Sequence, residues 1–101
     1  MITQQLLQER DYRRYYTTYI KPNAQALWQK RVWSESGTRY FIDLYEYDLR
    51  LLNNTISYEC DVQFKQADGA YLNISFSARD LDETEAKVEE LFQTLGGLDY
   101  D

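Results

Sequence analysis

The fold is decided by residues 56–78, which read ISYECDVQFKQADGAYLNISFSA. Apolar and polar residues alternate through both halves of this stretch, and a period of two is typical of a half-buried β-strand. A three-residue turn at 67–69, with Gly69 in the left-handed conformation, predicts a hairpin. Its register pairs apolar residues with one another: Phe64 with Leu72, Val62 with Ile74, and Cys60 with Phe76. Pattern and turn therefore agree on an antiparallel hairpin.

Two further strands are predicted before the hairpin. In the run 38–49, one face carries Tyr40, Ile42 and Leu44, and the other face then carries Tyr45, Tyr47 and Leu49. Either a β-bulge near Leu44-Tyr45 realigns the two halves, or the strand is covered on both faces and needs no bulge. The run 27–33 is predicted as the first strand, although its Ala-Gln-Ala-Leu start also suits a helix.

A helix is predicted at the C-terminal end, over residues 82–96. Asp82 and Glu85 have the spacing of a capping box, and Leu81 before them is suited to a hydrophobic staple. The apolar stripe at helical spacing consists of Val88, Leu91, Phe92 and Leu95. Gly96-Gly97 then predicts the end of the helix.

The N-terminal segment, residues 1–21, is also predicted to be helical. Thr3 is a candidate N-cap, and tyrosines follow at helical spacing before Pro22: Tyr12, Tyr15, Tyr16 and Tyr19. Residues 15–20 are rich in strand formers as well. Tyrosines at such spacing are more often the buried stripe of a packing helix than a binding surface.

These elements predict one domain over residues 1–101, of the α+β class. We expect a four-stranded antiparallel β-meander over 26–78, with an N-terminal and a C-terminal helix packed on one face. The composition, 44% hydrophobic and 28% charged, is ordinary for a globular domain of 101 residues. No apolar run is long enough for a membrane span, and the first twenty residues do not resemble a signal peptide. The single cysteine, Cys60, fits a reducing, cytoplasmic compartment.

The residue inventory disfavours catalysis. The chain has no histidine, which removes the commonest general base near neutral pH and the commonest transition-metal ligand. With one cysteine, predicted to be a small core residue, soft ligands are too few for zinc or an iron–sulfur cluster. The four glycines do not have the spacing of a phosphate-binding loop. We expect no catalytic residue, no metal site and no cofactor; a Mg²⁺-dependent carboxylate enzyme is the least favoured alternative.

Charge is divided unevenly along the chain. Residues 1–39 hold seven basic and three acidic residues, a net charge of +4, whereas residues 40–101 hold four and fourteen, a net charge of −10. A turn at Asn53-Asn54 places Glu46 opposite Asp61 and Asp48 opposite Glu59, all facing away from the core. Like charges opposite one another destabilise a sheet. The face is either solvated and neutralised by Arg10, Arg13 and Arg14, or it binds a basic partner or a divalent cation.

The sequence therefore predicts a small non-enzymatic accessory protein, of a size and acidity that suit a bacterial or phage protein. Its partner is a basic protein surface or a second copy, attracted by an acidic sheet face. The predicted partner-binding residues are Asp43, Glu46, Asp48, Glu59 and Asp61. The alternative is binding of single-stranded nucleic acid by an arginine- and tyrosine-rich segment, consisting of Arg10, Arg13, Arg14, Tyr15 and Tyr19. The isoelectric point near 4.6 disfavours that alternative.

Overall fold

The computed structural model describes residues 1–16, 20–33, 39–65 and 68–94. The chain forms an α+β fold in which five antiparallel strands follow one another across a single sheet in the order β1-β2-β3-β4-β5. The elements are α1 (Gln4–Glu9), β1 (Arg13–Tyr15), β2 (Ala26–Trp33), β3 (Arg39–Leu49), α2 (Arg50–Asn53), β4 (Thr55–Lys65), β5 (Tyr71–Ala78) and α3 (Leu81–Thr94). The predicted class and antiparallel sheet are confirmed, with one strand and one short helix more than expected.

The helices α1 and α3 pack on one face of the sheet. Their buried side chains join those of the strands in a single core; the ring of Phe92 in α3, for example, stacks on that of Tyr40 in β3 with centroids 4.0 Å apart. We call the side of the sheet that faces these helices the core face and the opposite side the outer face. Of the predicted stripe on α3, Val88 and Phe92 are buried and Leu91 is partly buried, while Leu95 and Gly96-Gly97 lie outside the described residues.

The helix α3 begins earlier than its predicted capping box. Asp80, rather than Asp82, accepts the hydrogen bond of the first turn, from the backbone N–H of Glu83 at 3.0 Å. Its carbonyl oxygen also accepts from the backbone and the hydroxyl group of Thr84. The side chains of Asp82 and Glu85 instead bind Arg10, so a pair at capping-box spacing has a tertiary role here.

The predicted N-terminal helix is correct at its start and wrong over residues 10–16, 20 and 21, while residues 17–19 lie outside the described residues. Thr3 caps α1 by accepting from the N–H of Leu6 at 3.1 Å. The chain then leaves the helix at Asp11, which is left-handed with φ 68°. The N–H groups of Asp11 and Tyr12 bond back to the carbonyls of Gln8 and Leu7, which is the Schellman pattern of a helix end. Only Tyr12 of the tyrosine stripe is described as buried; Tyr15 lies in β1, and Tyr19 lies outside the described residues.

The hairpin of β4 and β5 has the predicted register. Phe64 pairs with Leu72, Val62 with Ile74, and Cys60 with Phe76. Gly69 has φ 87°, as the left-handed position requires. The described pairing extends to Lys65 and Tyr71, and Ala67 of the predicted turn lies outside the described residues.

The predicted bulge in β3 is wrong. Pairing of β3 with β2 and with β4 continues without interruption through Leu44 and Tyr45. The alternative holds: residues 40, 42, 44 and 46 are buried on the core face, and Phe41, Tyr45 and Tyr47 are half-buried on the outer face. A continuous strand therefore carries Glu46 into the core.

The predicted register between β3 and β4 is wrong by three residues. One helical turn, α2, occupies residues 50–53, and Asn54 closes it in the left-handed conformation with φ 58°. As a result Glu46 pairs with Tyr58, and Asp61 pairs with Asp43. An odd shift exchanges the two faces of a strand, so the four predicted acidic residues do not share one face.

Candidate functional site

Three carboxylates lie together on the outer face, and we call them the acidic cluster: Asp43, Glu59 and Asp61. Asp43 in β3 is directly opposite Asp61 in β4. Glu59 lies two residues from Asp61 along the same strand, which puts both side chains on the same face. Three of the five predicted partner-binding residues are therefore brought together by the central strands.

A lysine from the connection between β1 and β2 crosses this cluster. The Lys21 ammonium lies 2.7 Å from a carboxylate oxygen of Glu59 and 2.5 Å from Oδ2 of Asp61, and 5.1 Å from the centre of the Tyr45 ring. Burial opposes the charge on Lys21, but the two carboxylates outweigh it and raise the pKa of this amine. From the sequence, Arg10, Arg13 and Arg14 were expected to neutralise the acidic residues. Lys21 was missed because no sequence pattern around it indicates a contact with β4.

The two aspartates of the acidic cluster have few hydrogen-bond donors around them. Asp61 is 8% exposed, and its Oδ1 is buried without a partner among the described residues. Asp43 accepts a hydrogen bond from Gln29 at 2.9 Å. Burial raises the pKa of Asp43, and the negative charge of Asp61 raises it further. The hydrogen bond from Gln29 lowers this pKa but does not outweigh the other two effects. The paired aspartates therefore repel each other across the ladder.

Glu46, predicted to face solvent, is instead the most buried acidic residue, at 1% exposure. Its Oε1 accepts from the Tyr58 hydroxyl at 2.7 Å and from the Trp28 indole at 3.3 Å. Its Oε2 accepts from the Gln25 amide at 2.7 Å, and Gln4 of α1 approaches to 3.5 Å. Burial raises the pKa of the Tyr58 hydroxyl, and the carboxylate of Glu46 raises it further. This arrangement binds the fold together and leaves Glu46 unable to contact a partner.

Asp48 lies at the end of β3, apart from the acidic cluster. Its carboxylate binds the guanidinium of Arg50 at 2.6 and 2.9 Å and also accepts from the backbone N–H of that residue. These hydrogen bonds lower the pKa of Asp48 to about 2. The charge of Asp48 is thus already paired, with the arginine that begins α2.

The residues predicted to bind nucleic acid are divided among different surroundings. Arg10 is held on the core side by Asp82 at 2.8 Å and Glu85 at 3.0 Å. Arg14 lies over the rings of Tyr16 and Trp28, at 5.5 and 5.8 Å. Arg13 and Tyr15 are exposed in β1. The helical surface that would have joined these residues is replaced by a turn and a strand.

One further residue with reactive chemistry is the single cysteine, Cys60. Cys60 is fully buried, as predicted, and burial raises the pKa of its thiol to about 12. A thiol with such a pKa is a poor nucleophile at neutral pH. Within the described residues, no three acidic or cysteine side chains are arranged to hold a metal ion.

Comparison with protein-family models, curated proteins and solved structures found no match to this chain. In the part of the chain that the structure describes, no helix combines the length and apolarity needed to cross a membrane.

Replacing Glu46 tests the buried network. Glu46→Leu leaves the two buried donors, on Trp28 and Tyr58, without an acceptor, and we expect it to lower the free energy of unfolding by about 3 kcal/mol. Glu90 is exposed on α3, so the control Glu90→Leu changes stability by less than about 0.5 kcal/mol. Urea unfolding followed by tryptophan fluorescence measures both; equal effects would contradict the role given to Glu46.

Replacing Asp43 tests the repulsion within the acidic cluster. A carboxyl group whose pKa is raised by folding costs stability as the pH rises from its ordinary value, near 3.8, through the raised value. Asp43→Asn removes this charge and keeps an acceptor for Gln29, so we expect a gain of up to about 1 kcal/mol at pH 7. The gain disappears below the ordinary pKa, where the wild-type carboxyl is protonated in both states.

Thermal unfolding of Asp43→Asn and wild type between pH 3 and pH 8 measures this difference. Glu90→Gln, which removes one exposed charge from α3, serves as the control. A loss of stability in Asp43→Asn at pH 7 would show that the charge of Asp43 is favourable, contrary to expectation.

Proposed function

We propose that this chain is a small non-enzymatic binding protein that docks a basic protein partner through the acidic cluster on the outer face. The observation that carries the proposal is the charge balance there: three carboxylates, Asp43, Glu59 and Asp61, face a single described cation, Lys21. With all groups ionised the site keeps a net charge of −2. It lies on the sheet face that α1 and α3 leave uncovered.

The contact of Lys21 indicates how a partner's basic side chain would bind. Its ammonium contacts two carboxylates and the face of an aromatic ring, a combination that suits lysine and arginine equally. The Glu59 side chain is 36% exposed, so it is the member that an incoming cation reaches first. Half-buried Tyr45 and Tyr47 border it, and tyrosine is enriched at protein interfaces.

The wider charge distribution supports the same partner. The exposed side of α3 adds carboxylates that have no ion pair among the described residues, at Glu83, Glu89 and Glu90. A net charge of −6 steers basic partners toward the protein over long range. The acidic cluster then supplies the specific contact, because its carboxylates are fixed by neighbouring strands.

The proposal also places the protein in the cytoplasm, where a reduced Cys60 is expected. Nucleic-acid binding is less well supported, because Arg10 is already bound by two carboxylates. A second copy of the chain remains within the proposal as a basic partner, through the exposed Arg13 of β1.

Charge removal at the acidic cluster is the test. The probe is a fluorescent synthetic peptide with six lysines, compared with the same peptide carrying six glutamates, and binding is read by fluorescence anisotropy at low salt. We expect the lysine peptide alone to bind. Asp43→Asn with Glu59→Gln should weaken its binding at least about tenfold, a loss of about 1.4 kcal/mol.

The matched control removes the same two charges from α3, by Glu83→Gln with Glu90→Gln. We expect this variant to bind within about threefold of wild type, because it affects only the long-range field. Equal weakening in both variants would show that the peptide responds to the net charge of the protein and does not bind specifically at the acidic cluster. Failure of the wild-type protein to bind the lysine peptide would contradict the proposal directly.

A further inference from the structure

The strand β5 is an edge of the sheet, and no other described strand pairs with its outer side. It pairs with β4 along its whole length, and it is last in the strand order. In an antiparallel strand about half of the backbone N–H and C=O groups point away from the paired neighbour. No backbone hydrogen bond of residues 71–77 beyond the ladder with β4 is found in the described part of the chain. One side of β5 therefore offers a row of backbone donors and acceptors.

This edge lacks the usual protection against pairing. Proteins commonly shield an exposed edge with a charge, a proline or a very short strand. The eight residues 71–78 contain no charged residue and no proline. The opposite edge, β1, is only three residues long and carries Arg13 and Arg14. The two edges of one sheet thus differ, and only β5 is left suitable for pairing.

The core is also incomplete at β5. On the core face of β4, Val62 and Cys60 are 1% and 0% exposed. Their partners across the ladder, Ile74 and Phe76, are only partly buried, as is Leu72. A neighbouring strand beyond β5 would cover these side chains on their open side, and burial of apolar surface favours such pairing.

We propose that two copies of this chain form a dimer by antiparallel pairing of their β5 strands. In the register centred on Ile74, that residue faces the partner's Ile74, and Leu72 faces the partner's Phe76. On the outer face, Asn73 faces the partner's Ser75. Apolar residues meet apolar ones and polar residues meet polar ones, so the strand is its own complement, as a two-fold interface requires.

Charge and shape near the edge favour a second copy in spite of the acidic chain. A cleft of about 180 Å³ lies beside Phe76. Its charged lining residues are Arg79, Glu83 and Lys87, a local net charge of +1, with the Lys87 ammonium 4.4 Å from the ring centre of Phe76. In the proposed register the partner's Leu72 borders this cleft. At this cleft the two subunits thus meet where the described charges are not net negative, whereas the carboxylates of Glu59 and Asp61 lie on the outer face, opposite Ser77 and Ser75.

Sedimentation velocity between 1 and 100 μM tests the proposal. We expect wild type to reach the mass of two 12.1 kDa chains. Asn73→Lys with Ser75→Lys sets like charges opposite each other across the interface and should weaken the dimer at least tenfold. Since Ser75 faces Asp61 within the subunit, the added cation is compatible with the fold, which circular dichroism checks.

The control, Gln5→Lys with Gln93→Lys, adds the same charge on exposed positions of α1 and α3 and should leave the dimer intact. A second measurement fixes the register: Asn73→Cys protein mixed with Ser75→Cys protein should form a disulfide-linked pair under mild oxidation. A wild-type monomer at 100 μM, a dimer that the β5 variant does not weaken, or equal weakening by the control would each overturn the proposal. These outcomes are read as mass and cross-linking, so they test the dimer separately from peptide binding at the acidic cluster, which lies beside β5 on the outer face with Asp61 opposite Ser75.

Discussion

A buried carboxylate, Glu46, is the constraint on which the rest of the structure depends. Its oxygens accept from β2 through Trp28, from β4 through Tyr58 and from the β1–β2 connection through Gln25. A buried charge is tolerated only when hydrogen bonds replace the lost water. These donors surround one side chain only when the strands have the observed order and register and the β1–β2 connection follows its observed path. The network therefore favours this fold over alternative pairings and also stabilises it.

The uneven distribution of charge along the chain is reflected in its tertiary ion pairs. Five of the six ion pairs among the described residues join the basic first part of the chain to the acidic remainder. Glu85 alone accepts from Arg10, Tyr12 and Lys30 and so ties α3 to the N-terminal segment and to β2. On the outer face these ion pairs neutralise only part of the negative charge, and the acidic cluster carries the remainder. The functional proposal therefore follows from the same charge division that assembles the domain.

The sequence predicted the elements whose local signals are strong and self-consistent. The hairpin of β4 and β5 combines a periodic pattern with a turn, and α3 has an apolar stripe at helical spacing, although Asp80 and not the predicted Asp82 caps it. It did not predict β1, because the helix stops at Asp11 in a conformation usually taken by glycine. It misplaced the register of β3 and β4, because no pattern distinguishes a tight turn at Asn53-Asn54 from one helical turn before Asn54. That difference of three residues moved Glu46 to the wrong face and split the predicted site.

Hydrogen exchange at the two tryptophan indoles tests the role of Glu46 most directly, without altering the protein. The Trp28 indole is buried and donates to Glu46, whereas Trp33 is 63% exposed at the end of β2. Proton NMR after transfer to heavy water resolves the two signals. The Glu46 network predicts that the Trp28 indole proton exchanges at least about 100-fold more slowly than that of Trp33. Equal exchange rates would contradict it, since they would show that the indole of Trp28 is not held in a closed core.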